Sequence, residues 1–207
     1  MQAYETIAAP AQAEFVEKRS RFIGYIAPVK TEEEAMAFLS EKRAQHWDAT
    51  HNVYAYLLRE NQAQRYSDDG EPQGTAGQPV LEVLRREGLT DVIVVVTRYF
   101  GGILLGAGGL VRAYSHGAKI AVDAARRLRM TPCARLRLQF DYSFYGRLSR
   151  LLPRFGVKTA ASDFGAAVTV ELLVAQEQKT AFLKELEELS AGQVHPEEMG
   201  LSWEDMA

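Results

Sequence analysis

Residues 1–131 alternate strand-like and helical patterns of hydrophobic positions. Residues 92–96 are Val-Ile-Val-Val-Val, a run that predicts a strand buried on both faces. Thr31 precedes three glutamates and predicts the start of a helix reaching about residue 45. Residues 61–78 are typical of a loop. A strand or a bent strand pair is predicted at 15–29 and a strand at 53–58, and other helices are predicted at 79–86 and 107–128. This order predicts an α/β layer domain.

Residues 132–207 show a second pattern. Leu136, Leu138, Phe140 and Tyr142 alternate with polar residues and predict a strand. A helix at 145–155, a hairpin at 157–175, a helix at 176–189 and a last strand within 192–203 complete the order βαββαβ, the ferredoxin-like split motif. We place the domain boundary at residues 130–132, because Pro132 cannot continue the preceding helix. The chain is thus predicted to be an α+β protein of two domains, 1–131 and 132–207.

The amino-acid composition narrows the possible classes of protein. With a net charge of −3, the chain has no overall positive potential that would attract nucleic acid or a membrane. No DNA specificity is evident. The longest uncharged run, residues 99–111, contains five glycines and is shorter than the roughly 20 residues of a membrane-spanning helix. The N-terminus lacks the pattern of a signal peptide, and Cys133 has no second cysteine to pair with. We therefore expect a cytoplasmic protein without a membrane partner.

A glycine-rich segment follows the central strand. Arg98 and Arg112 bracket it, and a helical pattern follows it. Glycines let a ligand approach the backbone, and the first N–H groups of a helix carry partial positive charge, so the segment suits an anion. The Lys-Ser/Thr pair of a P-loop is absent. Tight turns and close packing explain the glycines equally well. The glycines are Gly101, Gly102, Gly106, Gly108 and Gly109.

An acidic turn precedes the helix predicted at 79–86. Asp68, Asp69 and Glu71 are clustered, and carboxylates on a turn suit a hard cation such as magnesium. The composition favours the alternative, a solvated turn in which Asp68 caps the backbone. No histidine spacing of a zinc site occurs, so we assign no metal ligand. Magnesium at the three carboxylates is the only cofactor left open.

Charge is unevenly distributed along the chain. Residues 98–137 carry eight basic side chains against Asp123 alone, a local excess that suits phosphates. Tyr99 and Phe100 are aromatic side chains on which bases can stack. The last arginines before the domain boundary have an alternative to phosphate binding. They can lie at a solvated helix end, where the helix dipole favours cations.

Three segments resemble the YigZ/Impact family. They are Lys-Arg-Ser-Arg-Phe-Ile at 18–23, the acidic turn at 66–77, and Arg-Tyr-Phe-Gly-Gly-Ile-Leu-Leu-Gly with Gly-Gly-Leu at 98–110. The resemblance implies a first domain like the second domain of ribosomal protein S-five, and a ferredoxin-like second domain. The pair is similar to the fourth and fifth domains of elongation factor G. Eukaryotic relatives are translational stress regulators and carry an RWD domain that this chain lacks.

Three functional hypotheses follow. The first is a non-enzymatic regulator of translation or of the translational stress response that binds RNA, the ribosome or a ribosome-associated protein. The second is a magnesium-dependent enzyme acting on nucleotides or phosphate esters through the acidic turn and the glycine-rich segment. The third is a protein-binding module. The candidate ligand-binding residues are Arg21, Asp68, Asp69, Gly70, Glu71, Gly74, Thr75, Arg98, Tyr99, Gly101, Gly102, Gly106, Gly108, Gly109 and Arg112; no catalytic residue is assigned.

Overall fold

The computed structural model describes residues 2–206, which divide into two compact units. One unit spans residues 4–128; the other contains residues 2–3 and 129–206. The first unit contains β1 (Tyr4–Ile7), β2 (Ala11–Glu17), β3 (Ser20–Pro28), α1 (Glu32–Gln45), β4 (His51–Leu57), β5 (Gln64–Ser67), α2 (Gly77–Arg86), β6 (Val92–Tyr99) and α3 (Ala107–Ala124).

The first unit is built on an antiparallel sheet with helices on both faces. Its strand order is β2-β3-β6-β4-β5. In the central strand β6, Val94 and Val96 belong to the core that contains residues of α2 and α3, whereas Ile93 and Val95 belong to the core that contains residues of α1. The prediction of a strand buried on both faces is therefore confirmed.

Local sequence signals fix the helices on this sheet. The Thr31 hydroxyl accepts a hydrogen bond from the Glu34 N–H at 3.2 Å, which confirms the predicted start of α1. Helix α3 packs closely because Gly24 of β3 faces Gly117. A Cβ on Gly24 would lie 2.1 Å from the Gly117 carbonyl oxygen. Two glycines thus set the distance between α3 and the sheet.

Several elements differ from the prediction, and β1 is one that the sequence did not predict. Strand β5 lies in the region that the sequence assigns to a loop; it is a short edge strand whose polar side chains give no hydrophobic alternation. Helix α3 ends at Ala124 rather than near residue 128, because β7 (Arg127–Phe140) already begins at Arg127. Pro132 therefore lies within a strand and does not end a helix.

The second unit has the predicted βαββαβ order. The remainder of β7 is followed by α4 (Tyr142–Leu151), a 3₁₀ turn (Leu152–Phe155), β8 (Lys158–Phe164), β9 (Val168–Ala175), α5 (Lys179–Ser190) and β10 (Glu197–Asp205). In its sheet β7 pairs with β10 and with β9, and β9 pairs with β8, all antiparallel. Strand β1 also pairs with β7, which makes five strands. Side chains of α4 and α5, including Leu148 and Phe182, share a core with Leu136 and Leu138 of β7. The predicted fold class, with a ferredoxin-like second domain, is confirmed.

Candidate functional site

In the first unit, the acidic turn and the glycine-rich segment line the same cavity. It measures about 360 Å³ and lies at the start of α3. Acidic-turn, strand and glycine-segment residues all line it, among them His51, Glu71, Arg98, Leu104 and Ala107. We call it the Glu71 cavity. The sequence left open whether the two segments meet, and the structure shows that they do.

Glu71 holds the polar end of this cavity together. Its Oε1 accepts hydrogen bonds from Arg98 Nη1 at 2.6 Å and from the Tyr114 hydroxyl at 2.7 Å. Burial, and then the Glu71 carboxylate, raise the pKa of Tyr114 far above its ordinary value, so Tyr114 is the donor in this bond. Oε2 of Glu71 has no hydrogen-bond partner within residues 2–206. One oxygen of this carboxylate is thus engaged and the other is available.

Arg98 is buried, although its position in the sequence suggested a surface cation. Its side chain is 6% exposed, and its guanidinium lies 5.4 Å from the ring centres of both Phe22 and Phe100. Nη2 is 3.4 Å from the Ser20 hydroxyl. The buried Nε has no hydrogen-bond partner in the part of the chain that the structure describes. Arg98 therefore belongs to the cavity wall and not to an exposed phosphate-binding surface.

The backbone fixes the orientation of His51. Its Nδ1 lies 2.7 Å from the Asp69 carbonyl oxygen, which can only accept, so Nδ1 carries a proton. Nε2 lies 3.7 Å from Glu71 Oε1. In the neutral ring Nε2 is an acceptor at the cavity, beside the carboxylate.

The other two carboxylates of the acidic turn shape the backbone. Asp68 accepts hydrogen bonds from the N–H groups of Gly74, Ala76 and Gly77 at 2.9, 3.1 and 2.8 Å, at the start of α2. This is the backbone-capping arrangement that the composition favours. Within residues 2–206, no cluster of three or more His, Cys, Asp or Glu side chains is arranged to hold a metal ion. Magnesium binding here stays a prediction.

Asp69 is engaged in the same way. It accepts from the Asn52 N–H and from Arg43, both at 2.6 Å. The Thr75 hydroxyl donates to the Pro72 carbonyl oxygen at 2.6 Å, and a Cβ on Gly70 would lie 3.4 Å from His51 Nδ1. These contacts make the turn the support that holds Glu71 at the cavity.

A second cavity lies beside the same helix start. It measures about 500 Å³, and the basic residues Lys18, Arg112 and His116 line it together with Gly109. We call it the Arg112 cavity. Lys18, in the turn between β2 and β3, and Arg112, in α3, are exposed and form no ion pair within residues 2–206. Glu17 is the acidic residue in its wall. The two arginines that bracket the glycine-rich segment therefore line different cavities.

The glycine-rich segment contains glycines in different environments. A Cβ on Gly101 would lie 2.0 Å from the Arg19 carbonyl carbon, so a side chain is excluded by the β2–β3 turn. Gly106 precedes α3 with φ of 72°, which favours glycine. Gly102 is exposed in the loop, and Gly108 and Gly109 lie in the first turn of α3.

Arg21 and Tyr99 are predicted site residues that line neither cavity. Arg21 and Tyr99 are paired across β3 and β6, on the α1 face of the sheet. Arg21 forms an ion pair with Glu14 at 2.6 Å. The Tyr99 hydroxyl is 2.8 Å from His46 Nδ1 and donates to Asp48 at 3.2 Å. These two residues do not meet the acidic turn.

Ion pairs neutralise much of the basic stretch at residues 98–137. Arg127 pairs with Glu87, and Lys119 pairs with Asp123. Arg135 and Arg137 both pair with Glu171, and these bonds lower the pKa of its carboxyl group. The count of charges in the sequence therefore overstates the free positive charge, although Arg112 and Arg129 are exposed and form no ion pair within residues 2–206.

Three residues of the site were not among the predicted ligand-binding residues. His51, Tyr114 and Ser20 contact Arg98 or Glu71 from separate elements. Tyr114 reads in the sequence as one position of an apolar helical stripe, and His51 as a strand-opening histidine. The pairing of β4 with β6 places His51 opposite Arg98, and side-chain hydrogen bonds bring Tyr114 to Glu71 and Ser20 to Arg98.

Taken together, the two units define an α+β protein with a layered first domain and a ferredoxin-like second domain. The Impact N-terminal domain model matches residues 18–122, and a domain of unknown function, DUF1949, matches residues 138–193. The chain belongs to the IMPACT family. Within residues 2–206, no helix is long and apolar enough to cross a membrane.

Full-length relatives support this assignment. The chain is 36% identical over 208 residues to IMPACT family member YvyE of Bacillus subtilis, covering all of this chain and 96% of the relative. It is 36% identical over 195 residues to IMPACT family member YigZ of Escherichia coli, covering 93% and 96%. A crystal structure described as a hypothetical protein has a TM-score of 0.62 at 36% identity, covering 95% of this chain and 97% of the other.

Proposed function

We propose that this chain is a non-enzymatic regulator of translation that binds RNA phosphates, on the ribosome, through the wall of the Arg112 cavity. The observation that carries the proposal is the meeting of two exposed, unpaired cations, Lys18 and Arg112, from distant parts of the chain. Phosphate contacts by such side chains release counterions and dominate RNA affinity. The role in translation follows the family resemblance, including that to elongation factor G.

The placement of the cations on this surface suits a nucleic-acid backbone. Arg19 follows Lys18 in the same exposed turn, where both residues have positive φ values of 65° and 45° and the turn is held by the β2–β3 pairing. Arg112 is carried by an 18-residue helix that packs on the sheet. The backbone at these cations thus belongs to a paired hairpin and to a helix packed on the sheet, so binding does not have to order it.

The test is the affinity of the purified chain for a fluorescently labelled fragment of structured ribosomal RNA. Lys18→Ala with Arg112→Ala is expected to weaken binding by about tenfold or more, because two phosphate contacts are lost. Arg86→Ala, which removes an exposed arginine at the end of α2 that lines neither cavity, is the matched control. Equal affinity of the double variant and the parent protein would contradict the proposal.

The alternative is a magnesium-dependent enzyme acting on nucleotides or phosphate esters. It is supported by the Glu71 carboxylate, which has an available Oε2 and whose Oε1 lies 3.7 Å from His51 Nε2. Asp68 and Asp69 already accept hydrogen bonds from the protein, so Glu71 is the carboxylate of the three that faces a cavity. Calorimetric titration with ATP, with and without magnesium, separates the two functions. Magnesium-dependent ATP binding that Glu71→Gln abolishes, together with no RNA binding, would favour the enzyme.

A further inference from the structure

The Glu71 cavity presents hydrogen-bond acceptors in an apolar wall, and neither Lys18 nor Arg112 lines it. We propose that it binds a small primary amine with an apolar body, the ammonium group lying on Glu71 Oε2 and His51 Nε2. The inference stands apart from RNA binding, because it rests on a different cavity. It shares Glu71 with the enzyme alternative but requires neither magnesium nor a phosphate group.

Glu71 supplies a buried acceptor that the protein itself leaves unused. Its side chain is 4% exposed, and its Oε2 has no hydrogen-bond partner within residues 2–206. In that part of the chain, the unpaired side-chain oxygens and nitrogens that solvent cannot reach are Arg98 Nε and Ser202 Oγ, so solvent does reach Oε2. Because Glu71 lines the cavity, Oε2 faces it. A buried carboxylate oxygen without a partner is unfavourable, and an N–H donor of a ligand would satisfy it.

His51 places a second acceptor beside the first. Its Nδ1 donates to the Asp69 carbonyl oxygen at 2.7 Å, so Nε2 of the neutral ring is an acceptor. Nε2 lies 3.7 Å from Oε1 of the Glu71 carboxylate, so one ammonium group can reach both residues. An ammonium group carries three N–H donors and no acceptor, which matches this end of the cavity. A carboxylate or phosphate ligand would bring further acceptors to a place that already has them.

The charges around the acidic turn favour a ligand with a single positive charge. Asp69 pairs with Arg43, and Glu71 pairs with Arg98. Asp68 accepts hydrogen bonds from backbone N–H groups and has no cationic partner within residues 2–206. One negative charge is therefore left over, and a monocation would balance it. The start of α3, which also lines the cavity, adds only about half an elementary positive charge and does not reverse this balance.

The rest of the wall is apolar. Phe100, Leu104 and Leu110 line it, and Leu104 is 81% exposed, so a ligand would cover a leucine that water now contacts. A volume of about 360 Å³ lies in the size range of small-molecule sites. Apolar walls with a few converging polar groups are typical of such sites. They favour an ammonium group that carries an apolar body over a hydrated inorganic cation.

The test is a titration with isopentylamine, followed by ¹H–¹⁵N NMR without magnesium at about pH 8, where an alkylamine is protonated. We expect saturable shifts of the backbone amides of His51, Glu71 and Leu104. Isopentyl alcohol has the same body without the charge, and isopentyltrimethylammonium keeps the charge but has no N–H donor. Each is expected to bind at least about tenfold more weakly than the amine. Absent shifts, or equal binding of the amine and either of these compounds, would overturn the proposal.

Substitution of Glu71 tests the acceptor directly. Glu71→Gln keeps the size of the side chain and an oxygen toward Arg98 but removes the negative charge. It is expected to weaken amine binding by about tenfold or more. Unchanged affinity in this variant would contradict the assignment of the ammonium group to Glu71.

Leu104 allows a second test at an exposed position, which does not depend on how the fold tolerates a change at buried Glu71. Leu104→Lys places a like charge at the cavity and is expected to bind the amine about fivefold or more weakly than Leu104→Gln, which removes the same leucine without adding a charge. Leu201→Lys, at an exposed leucine of the second unit, should leave binding unchanged. Equal affinities of the two Leu104 variants would contradict the site. Tighter binding of an N-acetylated, C-amidated tripeptide with a central lysine would overturn the small-molecule assignment in favour of a protein lysine.

Discussion

Arg98 and Arg112 stand at the two ends of one glycine-rich segment, yet they lie in opposite physical environments. Arg98 is buried, paired with Glu71 and enclosed between two aromatic rings. Arg112 is exposed and unpaired beside Lys18. In the sequence the two look like equivalent flanking cations. Arg98 therefore organises a cavity, whereas the Arg112 side chain is exposed and can meet a phosphate.

Replacing each of the two arginines by alanine is expected to affect the stability of the fold very differently. Arg98→Ala leaves the Glu71 carboxylate buried without its cation and is expected to lower the free energy of unfolding by about 3–5 kcal/mol. Arg112→Ala is expected to change it by no more than about 0.5 kcal/mol, because its side chain is exposed. Urea denaturation of both variants measures the difference. Similar losses in the two variants would show that the environments are not distinct.

Two glycines of the same segment provide a second contrast. Gly101→Ala brings a methyl group against the β2–β3 turn and is expected to destabilise the fold by about 1–3 kcal/mol. Gly108→Ala places its methyl group in the first turn of α3, in ordinary van der Waals contact at 3.8 Å with Arg112 Nη1, and is expected to stabilise the fold by about 0.4–1 kcal/mol. Thermal unfolding of the two variants should move in opposite directions. A gain in stability for Gly101→Ala would refute the close approach.

The smallest effect is expected on the other face of the sheet. Burial, and then the nearby cations Arg21 and Lys42, lower the pKa of His46 below its ordinary value of 6.5. Below pH 6.5 the unfolded chain takes up a proton that the folded chain resists. The free energy of unfolding therefore has its full value above pH 6.5 and decreases as the pH falls from 6.5 to the lowered pKa of the folded chain. Denaturation curves at several pH values should show this decrease. In His46→Gln that contribution should be absent; an unchanged pH profile would assign the decrease to other groups.

Much of the fold was predictable because local patterns dominate it. The buried run of β6, the Thr31 cap and the alternation in β7 each carry a strong signal. The edge strand β5 and the early end of α3 escaped prediction, since strand pairing rather than local propensity determines both.

The candidate site was predictable only in part. The acidic turn and the glycine-rich segment were singled out, but their meeting depends on the antiparallel pairing of β4 with β6 and on the position of α3. Composition made Asp68, Asp69 and Glu71 look alike. The structure separates them, because two cap the backbone or bind Arg43, and the third lies at a cavity. Side-chain partners far apart in sequence decide such roles.

The most direct test of the central claim is the slope of RNA affinity against salt concentration. Each lost phosphate contact should reduce the magnitude of the log–log slope by about 1, so Lys18→Ala with Arg112→Ala should reduce it by about 2. Arg86→Ala should leave the slope unchanged. If the double variant shows the slope of the parent protein, or if the parent shows no RNA affinity at low salt, the Arg112 cavity is not an RNA-binding surface.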